Sequence, residues 1–107
     1  MKYRNTRLEY DGQKFASKRE FSRFLILKGY EKAGIITNLR TQVRFELIPA
    51  IKEGKRTVQR PCFYIADFVY TRDGKQVVED TKGYRTQAYE IKKKLMRWRH
   101  EIEIIET

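Results

Sequence analysis

A chain of 107 residues that is 40% hydrophobic and 13% aromatic supports one small packed domain over residues 1–107, with no room for a second core. Its single cysteine, Cys62, excludes a disulfide framework, and Cys62 with His100 is too few soft ligands for a zinc finger. The 24 Lys and Arg outnumber the 14 Asp and Glu, and the resulting charge of +10 favours a polyanionic partner, nucleic acid before membrane surface.

The opening Lys2-Tyr3-Arg4-Asn5-Thr6-Arg7 reads as a flexible basic arm over residues 1–7. Leu8 to Phe15 reads as a hairpin around Asp11-Gly12, with Leu8 facing Phe15 and Glu9 facing Lys14. Ser17-Lys18-Arg19-Glu20 has the capping-box spacing and opens a helix with Phe21, Phe24, Leu25 and Lys28 at helical intervals and Gly34 as its stop. Leu39 to Ile48 has strand character, closed by Pro49, and a Glu53-Gly54 turn follows. Pro61 marks the edge of Phe63 to Tyr70, the strongest strand pattern in the chain.

Asp73-Gly74 turns that strand into Gln76 to Lys82, with Gly83 ending the ladder. Thr86 caps a second helix whose apolar stripe is Ala88, Ile91, Leu95 and Trp98, and Glu101 to Glu106 alternates as a last short strand. Tyr64, Phe68, Tyr70 and Trp98 are expected in the core, Cys62 as a packed residue and His100 at the surface. The order describes an α/β (α+β) domain with helices packed on a sheet. No run approaches the roughly 18 apolar residues of a membrane span and no charged start leads into an apolar stretch, so a cytoplasmic protein without a membrane partner is expected.

The chemistry depends on the second hairpin's register. With Asp73 and Gly74 as its two loop residues, Asp67 lies directly opposite Asp80, their Cβ atoms roughly 5 Å apart on one face. Two carboxylates that close repel unless a cation lies between them, and hard oxygen ligands suit Mg2+ or Mn2+. Lys82, two residues past Asp80, shares that face and can orient a water or stabilise charge on a phosphate. Glu79 points to the other face. Asp/Glu-x-Lys occurs four times in the chain, but only Asp80-Thr81-Lys82 lies in a strand whose partner supplies a second carboxylate.

Asp67, then Asp80-Thr81-Lys82, resembles the signature of the PD-(D/E)XK nuclease superfamily, with Ala66 in place of the proline of its name. The expected order from the first helix, αβββαβ, is similar to that superfamily's restriction-endonuclease-like core, here preceded by a hairpin. Asp11-Gly12, Ser17 to Glu20, Gln42 to Leu47, Tyr64 to Phe68 and Glu79 to Gly83 resemble its small phage-associated members.

The resemblance implies that Asp67, Asp80 and Glu20 bind a divalent metal, that Lys82 positions the attacking water, and that Gln42 contacts the site or the phosphate. It also implies a DNA endonuclease, and related folds that resolve branched DNA such as Holliday junctions point to a homodimer cutting two strands, alongside other phage DNA-processing proteins. A capping box explains Glu20 fully without a metal, and Gln42 is more often an ordinary edge residue of a strand. Lys92, Lys93, Lys94, Arg97 and Arg99 on the last helix, with Arg44, Arg4 and Arg7, are the expected nucleic-acid contacts, against a solvated charged face as the plain alternative. The rival function is a non-catalytic nucleic-acid-binding module that keeps the nuclease fold.

Overall fold

A computed structural model describes residues 8–10, 12–82 and 84–107. The arm expected at 1–7, with Arg4 and Arg7, the turn residue Asp11 and the ladder end at Gly83 lie outside the described residues. The elements run β1 (Leu8–Tyr10), β2 (Gln13–Phe15), α1 (Lys18–Lys32), β3 (Thr37–Ile48), β4 (Ile51–Glu53), β5 (Arg56–Gln59), β6 (Cys62–Arg72), β7 (Lys75–Asp80), α2 (Gln87–His100) and β8 (Ile105–Glu106). The described residues are therefore mixed α+β, with two helices and a mixed four-stranded sheet ordered β3-β6-β7-β8. In that sheet β3, β6 and β7 are antiparallel, and β8 runs parallel to β7. No helix among the described residues is long and apolar enough to cross a membrane.

Local chemistry explains the boundaries. Ser17 caps α1 by accepting from the Glu20 amide at 3.1 Å, and Thr86 caps α2 by accepting from the Tyr89 amide at 3.0 Å. The β1–β2 pairs are Leu8 with Phe15 and Glu9 with Lys14, as the Asp-Gly spacing predicts. At the β6–β7 turn Asp73 and Gly74 both take positive φ, 52° and 75°, the type I′ geometry that fixes a two-residue loop. The register from Arg72–Lys75 to Phe68–Glu79 follows from it.

Each helix builds its own apolar cluster. Phe24 and Leu27 of α1 pack with Phe15, Ile36, Phe68 and Tyr70; Tyr89 and Met96 of α2 pack with Leu47, Tyr64, Ala66, Val69, Val78 and Ile104. Complete burial of a side chain such as Phe68 contributes about 2–3 kcal/mol.

Cluster membership shows a face change within the sheet. Tyr64 and Ala66 pack towards α2, whereas Phe68 and Tyr70, in the same alternation, pack towards α1. On β3, Val43 and Phe45 pack towards α2 and Leu39 towards α1. Both strands switch at the position where Gln42 stands across from Asp67, between the pairs Thr41–Phe68 and Val43–Ala66. Gln42 makes the switch with φ at 53°, a left-handed conformation uncommon outside glycine.

Several expectations are corrected. On α2 the buried side chains are Tyr89 and Met96, while Trp98 is 77% exposed, Ile91 59% exposed and Ala88 exposed. Of the expected stripe, Leu95 packs against the α2 cluster, while the fully buried positions of the helix are Tyr89 and Met96, also at helical spacing. On α1 the inward residues are Glu20, Phe24 and Leu27, and Leu25 faces out. His100 is half-buried, its Nε2 2.6 Å from the Glu46 carbonyl oxygen and its ring edge-on to Phe45, so it fastens α2 to β3. The last strand is confined to Ile105–Glu106, because Glu101 ends α2 in a left-handed cap. The Glu53-Gly54 turn joins β4 and β5, a separate two-stranded sheet.

Candidate functional site

Asp80 is the last residue of β7 and is almost fully buried. Parallel pairing with β8 fixes its backbone, for the Thr107 amide donates to the Asp80 carbonyl at 3.0 Å and the Lys82 amide to the Thr107 carbonyl at 3.3 Å. The Asp80 carboxylate accepts from the Tyr64 hydroxyl at 2.5 Å, and Lys82 Nζ stands 3.2 Å from its other oxygen. Lys82 Nζ also lies 4.1 Å from the centre of the Tyr89 ring, a cation–π contact that restricts its position. Burial, then the Asp80 hydrogen bond, pushes the Tyr64 hydroxyl far up, so it remains a donor.

Asp67 stands at the face change of β6. Its Oδ2 accepts from the Thr81 amide at 2.9 Å, and its carboxyl is within hydrogen-bonding reach of Asp80. The antiparallel register therefore brings the two acids to one place. Burial first, then the charges of Asp80 and Glu20, push the Asp67 carboxyl up to about 7, against the downward pull of the Thr81 amide.

Glu20 reaches the same centre from α1. Its carboxylate accepts from the Ala16 backbone amide next to the N-cap and from Gln42 Nε2 at 3.1 Å, and the same amide nitrogen makes a longer 3.4 Å contact with Asp67 Oδ1. Burial, then the charge of Asp80, raises the Glu20 carboxyl. The left-handed turn at Gln42 thus joins Glu20 to Asp67 across two elements. Lys14, Phe15, Ala16, Glu20, Gln42 and Asp67 line a cleft of about 390 Å³. A second cleft of about 240 Å³ opens beside it over Asp80, Lys82, Tyr89 and Lys92.

The structure brings Glu20, Gln42, Asp67, Asp80 and Lys82 together. Three carboxylates against one ammonium leave a negative centre of hard oxygen donors, which suits a small divalent cation. Among the described residues, no three of Asp, Glu, His or Cys already encircle a cation position. Of the expected nucleic-acid contacts, Lys92 lines the second cleft, Lys93 is engaged by Glu106 at 3.1 Å, Arg97 by Glu103 at 3.4 Å and Arg99 by Glu46 at 2.9 Å. Arg44 lies over the Phe63 ring at 4.3 Å.

Sequence reasoning missed three supports. Tyr64 and the Thr81 amide hold the two acids, and only the β6–β7 register could have located them. The third is the Arg23–Glu79 pair: fully buried Glu79 accepts two hydrogen bonds from Arg23, at 2.8 and 2.9 Å, and a further one from the Tyr70 hydroxyl. Glu79 does face away from Asp80, and through Arg23 it ties α1, and with it Glu20, to β7. Burial and Glu79 raise the Tyr70 hydroxyl to about 12. The spacing of Glu20 and Arg23 along one helix was the available signal.

Comparison with curated proteins finds no match, and comparison with solved structures finds none. The profile described as "Protein of unknown function (DUF1064)" matches residues 1–105, nearly the whole chain, and the protein belongs to that family.

Proposed function

We propose that this protein is a divalent-metal-dependent endonuclease that hydrolyses phosphodiester bonds in DNA. The observation that carries the reading is the meeting of Asp67 and Asp80 across the β6–β7 hairpin, with Lys82 Nζ 3.2 Å from Asp80. A structural role gives no reason to gather these acids with Glu20, since each raises the ionisation cost of its neighbours. The element order from α1 onward, α1-β3-β6-β7-α2-β8 with β4–β5 inserted, supports the restriction-endonuclease-like resemblance.

Asp67 and Asp80 would hold Mg2+ or Mn2+, with Glu20 as a further ligand or a partner of metal-bound water. The cation, when bound, polarises the phosphate and acidifies a water. Tyr64 and the Thr81 amide keep the acids in place. Gln42 holds Glu20 towards Asp67, and Lys82 orients the water and offsets charge developing on the phosphate. The surplus of +10 supplies affinity for the DNA backbone regardless of sequence.

The test is incubation with supercoiled, linear and branched DNA in Mg2+ and in chelator. Cleavage is expected only with metal and is lost in Lys82→Ala while DNA binding persists. Cleavage that survives chelation, or Lys82→Ala cutting at the normal rate, refutes the assignment. Chelator-insensitive binding with no cleavage of any substrate establishes the non-catalytic module instead.

A further inference from the structure

The β4–β5 hairpin makes no contribution to either apolar cluster. Residues 49–60 are exposed without interruption, including Ile51 and Val58, and among the described residues the two strands pair only with each other. An isolated two-stranded ribbon is marginal in water, so a fold has no energetic reason to carry one. This ribbon is nevertheless well formed. Gly54 turns it at φ 63°, Glu53 pairs with Arg56, and Gln59 Nε2 donates to the Pro49 carbonyl at 3.3 Å.

Its charge is also one-sided. Between Pro49 and Pro61 stand Lys52, Lys55, Arg56 and Arg60, with Glu53 the one acid. None of these four bases has an ion-pair partner among the described residues. Elsewhere, Arg23, Lys82, Arg85, Lys93, Arg97 and Arg99 are engaged by carboxylates, whereas Arg72, Lys75 and Lys94 have no ion-pair partner among the described residues either. An exposed ribbon that keeps its cations unneutralised is complementary to a polyanion, and two copies of it would repel each other.

Position adds the geometry. The ribbon leaves the sheet where Ile48 pairs with Cys62, five residues along β6 from Asp67. At about 3.3 Å per residue this puts the root of the ribbon about 17 Å from Asp67, or about five base pairs of duplex, with Lys55 and Arg56 beyond it at the turn end. The DNA major groove, about 12 Å wide, admits a two-stranded ribbon.

We infer that the β4–β5 hairpin is a DNA-gripping arm, rooted about half a duplex turn from the Asp67–Asp80 centre, whose Lys52, Lys55, Arg56 and Arg60 contact the phosphates of duplex. The inference rests on the nuclease reading for its choice of DNA and for its distance from the centre, but binding tests it without cleavage.

The experiment measures the affinity of the full chain for a fluorescently labelled duplex in chelator, across a salt series. It compares the wild type with a variant carrying Lys52→Gln, Lys55→Gln, Arg56→Gln and Arg60→Gln. A second variant replaces residues 51–59 by a short glycine turn, and Arg72→Gln with Lys75→Gln at the other end of β6 is the charge control. Four phosphate contacts predict that the slope of log affinity against log salt falls by about 3–4, and affinity by at least about tenfold. The control should lose less slope per base removed.

A quadruple variant that keeps its circular dichroism and melting temperature but loses less than about one unit of slope overturns the arm. An arm variant that instead turns a dimer into a monomer, with its slope unchanged, does so as well. Wild-type protein that binds with the arm-dependent slope yet cuts nothing keeps the arm and removes the nuclease. Wild-type protein that cuts but is indifferent to the arm does the reverse.

Discussion

Asp67→Asn tests the site most directly, because it should make the metal-free protein more stable while disabling it. The Asp67 carboxyl is raised to about 7 by burial and by the charges of Asp80 and Glu20. In the unfolded chain it titrates near 3.9. The folded state therefore holds the proton more tightly, and the stability this provides is fully present below about pH 4. It is lost as pH rises through about 7. A shift of about three units sets a ceiling of about 4 kcal/mol, and solvent access to half-buried Asp67 reduces the expected effect to about 1–2 kcal/mol. Asparagine keeps an oxygen for the Thr81 amide and presents an NH2 group towards Asp80.

Urea unfolding in chelator at about pH 5 and about pH 8 measures this. Asp67→Asn should match or slightly trail the wild type at the lower pH and exceed it by about 1–2 kcal/mol at the higher. Mg2+ should stabilise the wild type at about pH 8 more than the variant, which should no longer cut DNA. A variant less stable than wild type at about pH 8, with the wild type's pH dependence intact, would refute the carboxylate-cluster reasoning.

Other expectations follow from single residues. Arg23→Ala strands the buried Glu79 carboxylate and should cost about 3 kcal/mol in urea melts; Arg23→Met with Glu79→Leu should cost less, and equal losses would deny that an uncompensated charge is the cause. Gln42→Gly relieves the left-handed backbone and should be about 1 kcal/mol more stable than Gln42→Ala, with both slowing cleavage by freeing Glu20; equal stabilities would remove the backbone argument. Trp98, the sole tryptophan, should emit as a water-exposed indole and change little on unfolding that circular dichroism detects; blue-shifted native emission would put it back in the core.

The features legible in the sequence were those decided within a few residues. Ser17 and Thr86 cap their helices because each side chain reaches an amide three residues ahead. Asp73-Gly74 sets the β6–β7 register because its backbone leaves one way to pair, and that register carried Asp67 to Asp80 and placed Lys82 beside it. The misreadings arose where two answers share one period. Ala88-Ile91-Leu95-Trp98 and Tyr89-Met96 both satisfy a helical repeat, and packing against β3, β6 and β7 took Tyr89 and Met96 with Leu95 alone from the first set.

The caps, the hairpin turns, the opposed acids and the charge surplus belong to the sequence alone, since each follows from chain geometry over short range. Tertiary structure decided that Gln42 turns left-handed to join Glu20 to Asp67, that Arg23 closes on Glu79, that Trp98 faces water and that the β4–β5 ribbon stands clear of the core. Those outcomes depend on groups 22 to 56 positions apart meeting or failing to meet, and local propensity has no reach over such separations.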